Sequence, residues 1–474
     1  MPSEQFLHGV EVLDIDSGAR PVSTVQSSVI GIVGTAPDAD ATAFPLNTPV
    51  LVANSRALAA KLDMTGDGLG SLPAALDAIL DQAGAVVVVV RVAKGATDVE
   101  TLANMIGGVD SGTGQYLGVH ALQAAKSILG VQPRILIAPG FTHQRVTGGV
   151  TALAGNNGTG YTDGVYNLNA TGGTGGSGAT ARITITGGAI SKREVTNSGS
   201  GYTVAPTFTL SGAGSGTGAT ITATIGTAGN AVVAELLGIA DRLRAVIFAD
   251  GPSTTDAAAV AYAGDFGSKR VYVIDPQVLV SIDGALVQQY ASAGAAGIQA
   301  RMDNDVGFWV SPSNQLFNGI VGTARAIDFA LGDANSRANL LNAAKIATIV
   351  REDGYRLWGN RTLSSDPKWA FLCVVRTADI INDSLQRAHL WAVDRGITKN
   401  YVTEVIEGVN AYLRHLTSIG AILGGKCWAD PDLNTADQIA QGKVYFDFDF
   451  TPVYPAEHIV MRSHLVNDYV KEIF

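Results

Sequence analysis

Only two cysteines, Cys373 and Cys427, occur in 474 residues, and they lie far apart in the chain. A disulfide framework or a four-thiolate zinc site needs more thiols than that, so a reducing compartment fits best. Charge is scarce as well. Asp, Glu, Lys and Arg make up 16% of the chain against 46% hydrophobic residues, whereas a soluble domain usually carries about a quarter charged residues. Two readings follow: a globular chain merely rich in small residues, or a large oligomer in which other copies cover part of the surface. Basic runs are absent and the net charge is −10, which excludes a protein that coats nucleic acid, because phosphate binding needs clustered Lys and Arg. No apolar run approaches the ~20 residues of a membrane span. The opening MPSEQFLHGVEVLDID lacks the basic start and apolar stretch of a secretion signal, so the expectation is a chain made and kept in the cytoplasm until lysis.

What is present alternates. SSVIGIVGTA (27–36), the Val-rich run Ala85–Val92, PRILIAPG (133–140), RAVIFADG (244–251) and KRVYVIDP (269–276) are apolar runs closed by Gly or Pro. Helical stretches are expected at 55–62, 72–83, 116–128, 231–243 and 254–266. Apolar runs with no alternation suit strands buried on both faces, and strand–helix–strand repetition predicts a mostly parallel α/β sheet. Residues 146–231 break the rhythm. They hold five charged residues, Asp163, Arg182, Lys192, Arg193 and Glu194, in a background of Gly, Thr, Ala and Ser. They also repeat: GTGYT (158–162) with GSGATARITIT (176–186) is echoed by GSGYT (199–203) with GTGATITATIG (216–226). The predicted form is an inserted all-β module, the alternative a disordered low-complexity loop, against which β-branched alternation such as Ile183, Ile185, Ile221 and Ile225 argues.

Beyond Gly354 an α+β region is expected. Helices are predicted over Ala378–Asp394 and Tyr401–Leu423, the second ended by Gly424 and Gly425. Val444, Phe446, Phe448 and Phe450 then alternate with Tyr445, Asp447 and Asp449 as a half-buried strand, and EHIVMRSHLV (457–466) reads as a further strand. The layout is an N-terminal arm (1–20), an α/β core (21–145 with 232–353), the β module (146–231), a C-terminal domain (354–456) and a terminal strand and arm (457–474). With ~100–200 residues per domain, the length permits it.

Motifs for chemistry fail on context. GTGGSG (173–178) has dinucleotide-turn glycine spacing but leads into a strand, and GAILGGK (420–426) follows a helix and ends at Cys427 where a phosphate loop needs Ser or Thr. The histidines His8, His120, His143, His389, His415, His458 and His464 form no metal pattern, since even His458 and His464 would sit ~20 Å apart on an extended strand. No metal and no cofactor are expected. Asp250 and Asp275 end apolar strands, where α/β enzymes place catalytic acids; an α/β hydrolase or nucleotide enzyme built on them is the alternative function, against a structural role as caps and turn closers. An adhesin-like protein built around the repeat would need a secretion signal.

GVEVLDIDSGARPVSTVQSSVIGIVGTAP (9–37), GYRLWGNRTLSSDPKWAFLCVVRTADIINDSLQRAHLWAV (354–393) and PAEHI (455–459) together resemble the contractile phage tail sheath family, including sheath subunits of related injection particles. The likeness spans 9–140 and 236–474 and omits the repeat module. It implies a non-enzymatic structural subunit with a subtilisin-like core lacking the catalytic triad. Copies would form six-fold rings stacked helically around an inner tail tube protein, between baseplate and tail terminator proteins, and contract to drive the tube through the host envelope. Assembly in the host cytoplasm and residence in the virion tail follow. So does strand addition between neighbours, for which the apolar terminal residues Val10, Val12, Leu13, Ile15, Ile459, Val460, Met461 and Leu465 are the expected pairing set.

Overall fold

A computed structural model describes residues 22–467 and 469. Its contacts divide the described chain into two compact units, one of residues 28–376 with 454–467 and 469, the other of residues 22–27 and 377–453.

The larger unit is built on a nine-stranded sheet. Its strands are β1 (Ile30–Thr35), β2 (Pro49–Ala53), β3 (Val86–Val92), β4 (Ile135–Ile137), β5 (Val246–Asp250), β6 (Val271–Ile274), β7 (Ile346–Arg351) and β8 (Tyr355–Trp358), with a two-residue strand Gln315–Leu316 at one edge. From that edge the order is Gln315–Leu316, β8, β7, β6, β5, β4, β1, β3, β2. The six strands from β7 to β3 run parallel, and the outer ones antiparallel. Alternate side chains feed two cores, as a parallel sheet demands. Ile30, Val87, Val89, Ile135, Phe248 and Tyr272 point to one; Val33, Val88, Val90, Leu136, Ile247 and Val273 to the other. Each such side chain, fully buried, contributes ~1.5–3 kcal/mol.

Two helices, α1 (Leu72–Leu80) and α4 (Ala291–Asp305), cover the first face; α2 (Ala231–Leu243) and α3 (Asp256–Ala263) cover the second. The first ten residues of α4 are all buried, and small residues make that possible. A Cβ at Gly294 would sit 2.2 Å from the Phe317 ring, and one at Gly297 2.9 Å from Ile79 O on α1. At the far end of α4, buried Asp303 pairs with buried Arg376 on α5 (Leu372–Ala388).

The 146–231 segment is ordered. Val146–Ala154 pairs antiparallel with Thr222–Ala228, so the chain enters and leaves by adjacent strands. Gly164–Asn169, Ser177–Thr186 and Ala189–Ser200 form a three-stranded sheet, and Leu168, Ile183, Ile185, Ile190, Tyr202 and Phe208 join one core. The two repeat copies interlock. Tyr161 of the first accepts a hydrogen bond from Ala219 N of the second, and Tyr202 of the second accepts one from Ala179 N of the first, both at 3.3 Å. The rings lie where a Cβ on Gly216 or Gly176 would have to go.

The smaller unit holds the rest of α5, helix α6 (Lys399–Ser418) and an antiparallel pair, β9 (Ile422–Ala429) and β10 (Phe446–Pro452). Val405, Val409, Tyr412, Leu413 and Leu416 are the buried stripe of α6.

Several expectations are corrected. The helix expected to run to Leu423 ends at Ser418, because Gly420 takes φ +77° and turns the chain; GAILGGK then lies mostly in β9, where Gly425 is packed under Phe450. The helix expected from Ala378 starts at Leu372. The 116–128 stretch is mainly 3₁₀, over Gly118–Ala124, before a short helix. Residues 457–466 form no strand, having no partner strand among the described residues.

Removing one member of a buried ion pair strands the other charge. Asp303→Ala should therefore lower stability by about 3–5 kcal/mol, read from the chemical denaturation midpoint. Adding Arg376→Met should restore much of that loss; no recovery in the double variant would show that the pair does not act as a unit.

Candidate assembly site and the strand-end carboxylates

The two strand-end acids lie on adjacent strands, Asp250 at the end of β5 and Asp275 just past β6, and both are buried. Asp250 faces the first turn of α4. Its carboxylate accepts from Ser292 N at 2.8 Å, Ser292 Oγ at 2.7 Å and Thr142 Oγ1 at 3.3 Å. A carboxylate at a helix N-terminus completes free N–H groups and meets the positive end of the helix dipole. Burial nevertheless pushes its pKa up to about 6, with the Ser292 and Thr142 bonds acting against that rise. Asp275 accepts from Ser253 N at 2.7 Å and pairs with Arg325, which also pairs with Asp256; Arg337 reaches Asp256 at 2.9 Å. Burial raises the Asp275 pKa, and Arg325 opposes it.

Both acids are thus occupied in holding the fold. Asp250 has 1% and Asp275 0% of its surface exposed, so neither reaches a substrate. Among the described residues no group of three or more His, Cys, Asp or Glu is placed to hold a metal ion. The arginines were missed in sequence because Arg325 and Arg337 lie some fifty residues or more beyond Asp275 and Asp256; only the fold brings them to the strand ends.

The chain ends are different. Leaving β10, the chain sets Tyr454 edge-on to Phe371 at 6.4 Å between ring centres. Glu457 accepts from Arg361 Nε at 2.7 Å, and the guanidinium lies 5.4 Å from the Phe371 ring. Arg361 belongs to WGNRTLSSDP and Glu457 to PAEHI, so two segments that carried the family likeness meet in one unit. Beyond this anchor the side chains face water. Ile459 and Val460 are 69% exposed, Met461 90% and Leu465 99%. The other expected pairing residues, Val10, Val12, Leu13 and Ile15, lie outside the described residues. The chain just after them is tied down: Thr24 Oγ1 is 3.1 Å from Tyr412 OH, and Val25 N donates to Ser384 Oγ at 3.1 Å.

β9 and β10 form a two-stranded sheet. The Asn410 side chain of α6 exchanges hydrogen bonds with Cys427 N (2.7 Å) and O (3.1 Å), which closes the outer edge of β9 there. The outer edge of β10 carries no strand among the described residues. Phe446, Phe448 and Phe450 are only half-buried, and Trp428 stays 36% exposed. Two strands are marginal alone, and an open edge beside partly exposed aromatics is a template for a third.

Comparison with known proteins gives one family. Profiles for the tail sheath protein Gp18 domain III N-terminal region, the phage tail sheath protein central domain and the phage tail sheath C-terminal domain match residues 27–92, 219–363 and 364–465. The chain is 39% identical over 472 residues to a Pseudomonas aeruginosa protein named a prophage major tail sheath protein, covering 99% of this chain and 98% of that one. It is 31% identical over 478 residues to the tail sheath protein of Escherichia phage P2, with the same coverage. Among solved structures, the helical sheath of the anti-feeding prophage in its contracted state aligns with TM-score 0.60 at 17% identity, over 97% of this chain and 99% of that one. The contracted sheath complex of an extracellular contractile injection system, PVC, aligns with TM-score 0.58 at 15% identity, over 98% and 99%. At such identities these two show the shared fold.

Asp250 sets a pH dependence. Its folded pKa of about 6 lies above the ordinary 3.8, so the folded chain holds a proton that the unfolded chain has lost between those values. Stability from this group is therefore highest below about 4 and falls as pH rises through 6. Asp250→Asn does not titrate; its thermal midpoint should gain on that of the unmodified chain between pH 4.5 and 7. A difference constant over that range would rule out the assignment.

Proposed function

The chain belongs to the phage tail sheath family and is a structural subunit of a contractile tail sheath, not an enzyme; from that premise we propose that it polymerises by lending its terminal segments as strands to neighbouring copies. One observation carries this reading: the apolar side chains Ile459, Val460, Met461 and Leu465 stand in water soon after an anchored Glu457. The receiving site is the open edge of β10. Val10, Val12, Leu13 and Ile15 would act with Ile459, Val460, Met461 and Leu465 in the pairing.

The physics is strand addition, in which main-chain bonds give affinity that depends little on sequence and alternate side chains select the register. Each bond yields ~0.5–1.5 kcal/mol net. Burial of side chains such as Leu465 adds ~1.5–3 kcal/mol apiece, against ~1–2 kcal/mol per residue ordered. A single link is modest; repetition over a lattice makes it strong.

Within this reading the subunit sits in the virion tail, assembled in the host cytoplasm as six-fold rings stacked helically around an inner tube protein, between baseplate and tail terminator proteins. Contraction then moves one metastable lattice to a better packed one and drives the tube through the envelope, with no nucleotide. The core would be subtilisin-like without a catalytic triad, spanning 21–145 and 232–353, with 354–456 as the C-terminal domain and 1–20 and 457–474 as arms. The module, 146–231, would stand apart from the lattice. In support, its ends pair with one another, Val146 opposite Ala228.

Removal of residues 1–15, or of 458–474, should leave a folded, soluble subunit that forms no tubes in negative-stain microscopy. Normal tubes from both truncations would sink the strand-lending mechanism. Excision of 146–228 with a short glycine bridge, which keeps the α2 cap Asn230, should leave tube formation intact, and a core unfolded by that cut would refute the independence of the module.

A further inference from the structure

The parallel sheet of the larger unit is electrically polarised along its strands. Four neighbouring strands, β7, β6, β5 and β4, each begin at a basic residue: Lys345 before β7, Lys269 and Arg270 before β6, Arg244 before β5 and Arg134 before β4. Neighbouring strands lie ~4.8 Å apart, so the row spans ~15 Å. Arg270 and Arg134 are its buried base. Arg134 Nη1 donates to Leu243 O at 2.7 Å, and Arg270 Nε pairs with Asp241 at 3.0 Å. Above them Lys345 Nζ donates to Ser364 O at 2.7 Å, Lys269 Nζ lies 3.8 Å from the Trp369 ring centre, and Arg242 and Lys368 are exposed. The acids on this rim are Asp241, held by Arg270, and Asp366, whose carboxylate accepts from Lys368 N at 2.9 Å. Farther along the same end, Asp77 and Asp81 are faced by Arg56.

The other end of the sheet is acidic. The segments leaving β1, β3 and β7 bring Asp38, Glu100 and Glu352. The loop beside Thr35 brings Asp67, and the segment running up to the helix before β7 brings Asp328 and Asp333. With Asp63, Asp98 and Asp353 on the same segments, these outnumber the cations there, Lys61, Lys94, Arg325, Arg337, Arg351 and Arg356, of which Arg325 and Arg337 are already engaged by Asp275, Asp256 and Asp328 and Arg356 donates to Glu352 O.

We propose that the basic rim at the strand starts docks a second copy of this chain, head to tail, through that copy's acidic strand-end face. Charge complementarity selects the occupant. In a chain of net charge −10, a basic row is the exceptional surface, and in a polymer the acidic surface always at hand is the opposite end of the next subunit. Because the two faces differ, the contact is heterologous: it leaves a free rim and a free acidic end on every pair, and so propagates. Facing rows of opposite charge steer the encounter and fix its register, while like-charged ends pushed together are rejected. The inference rests on the polymer reading above and adds to it a surface that the arms do not supply.

The test uses full-length subunits. Arg242→Glu with Lys368→Glu makes both ends acidic; Asp67→Lys with Glu352→Lys makes both ends basic. Each variant alone should need a concentration at least about tenfold higher to form sedimentable tubes at low salt, with its thermal midpoint unchanged. An equimolar mixture should polymerise near the unmodified concentration, since acidic and basic ends then alternate. Tubes from the rim variant at the unmodified concentration would overturn the proposal and hand the rim to a different acidic partner. So would a mixture that fails to recover. Failure of the unmodified chain to polymerise would instead count against the polymer reading, so the two outcomes are separable.

Discussion

A parallel sheet of six strands exposes two apolar faces, and every other feature of the larger unit answers the need to cover both. The Val run of β3 serves two cores at once, with Val87 and Val89 on one side and Val88 and Val90 on the other. Coverage on the first side depends on a helix whose first seven residues are all Ala, Ser or Gly. Gly294 and Gly297 let α4 approach Phe317 and α1 more closely than any Cβ would allow, and density of this kind resists continuous deformation. The result is a stiff body.

The same architecture explains why the enzyme alternative was reasonable and where it breaks. In doubly wound sheets the carboxyl ends of parallel strands are where ligands bind. Here that crevice is filled by protein. Asp250 is turned toward the start of α4, and Asp275 is bound by Arg325 inside a run of alternating acids and arginines. A raised carboxyl pKa marks functional sites in many proteins, but desolvation alone produces it, and burial is the leading cause at both aspartates. Accessibility decides between the two meanings.

Much of the larger unit was legible because its signals are local. Unbroken apolar runs closed by Gly or Pro located β1, β3, β4, β5 and β6, and the repeat with its β-branched alternation marked the module as ordered. Legibility failed where a partner decides. Ile422–Ala429 carries two glycines and a lysine, reads as the fraying end of a helix, and becomes a strand only against the aromatic row of β10. Residues 457–466 show the converse: strand-like by composition, they form none because nothing within the described chain pairs with them. At the strand ends, carboxylates could be read from sequence but their arginines could not, since ion pairing at such separations follows topology.

The module shows how an insertion can be made harmless. Val146–Ala154 and Thr222–Ala228 lie side by side, so between β4 and α2 the chain leaves and returns through one closed pair of strands. Asn230, which caps α2 by accepting from Val233 N at 3.0 Å, also donates to Phe141 O and Gln144 O. One side chain thus joins the residues on either side of the insertion and starts the helix that covers the second core. Loop-closure cost grows only slowly with length, and here the interlocked tyrosines Tyr161 and Tyr202 give the inserted residues a core of their own. The inserted residues thus bring a core of their own, and Asn230 is the side chain that fixes where the chain re-enters the host fold.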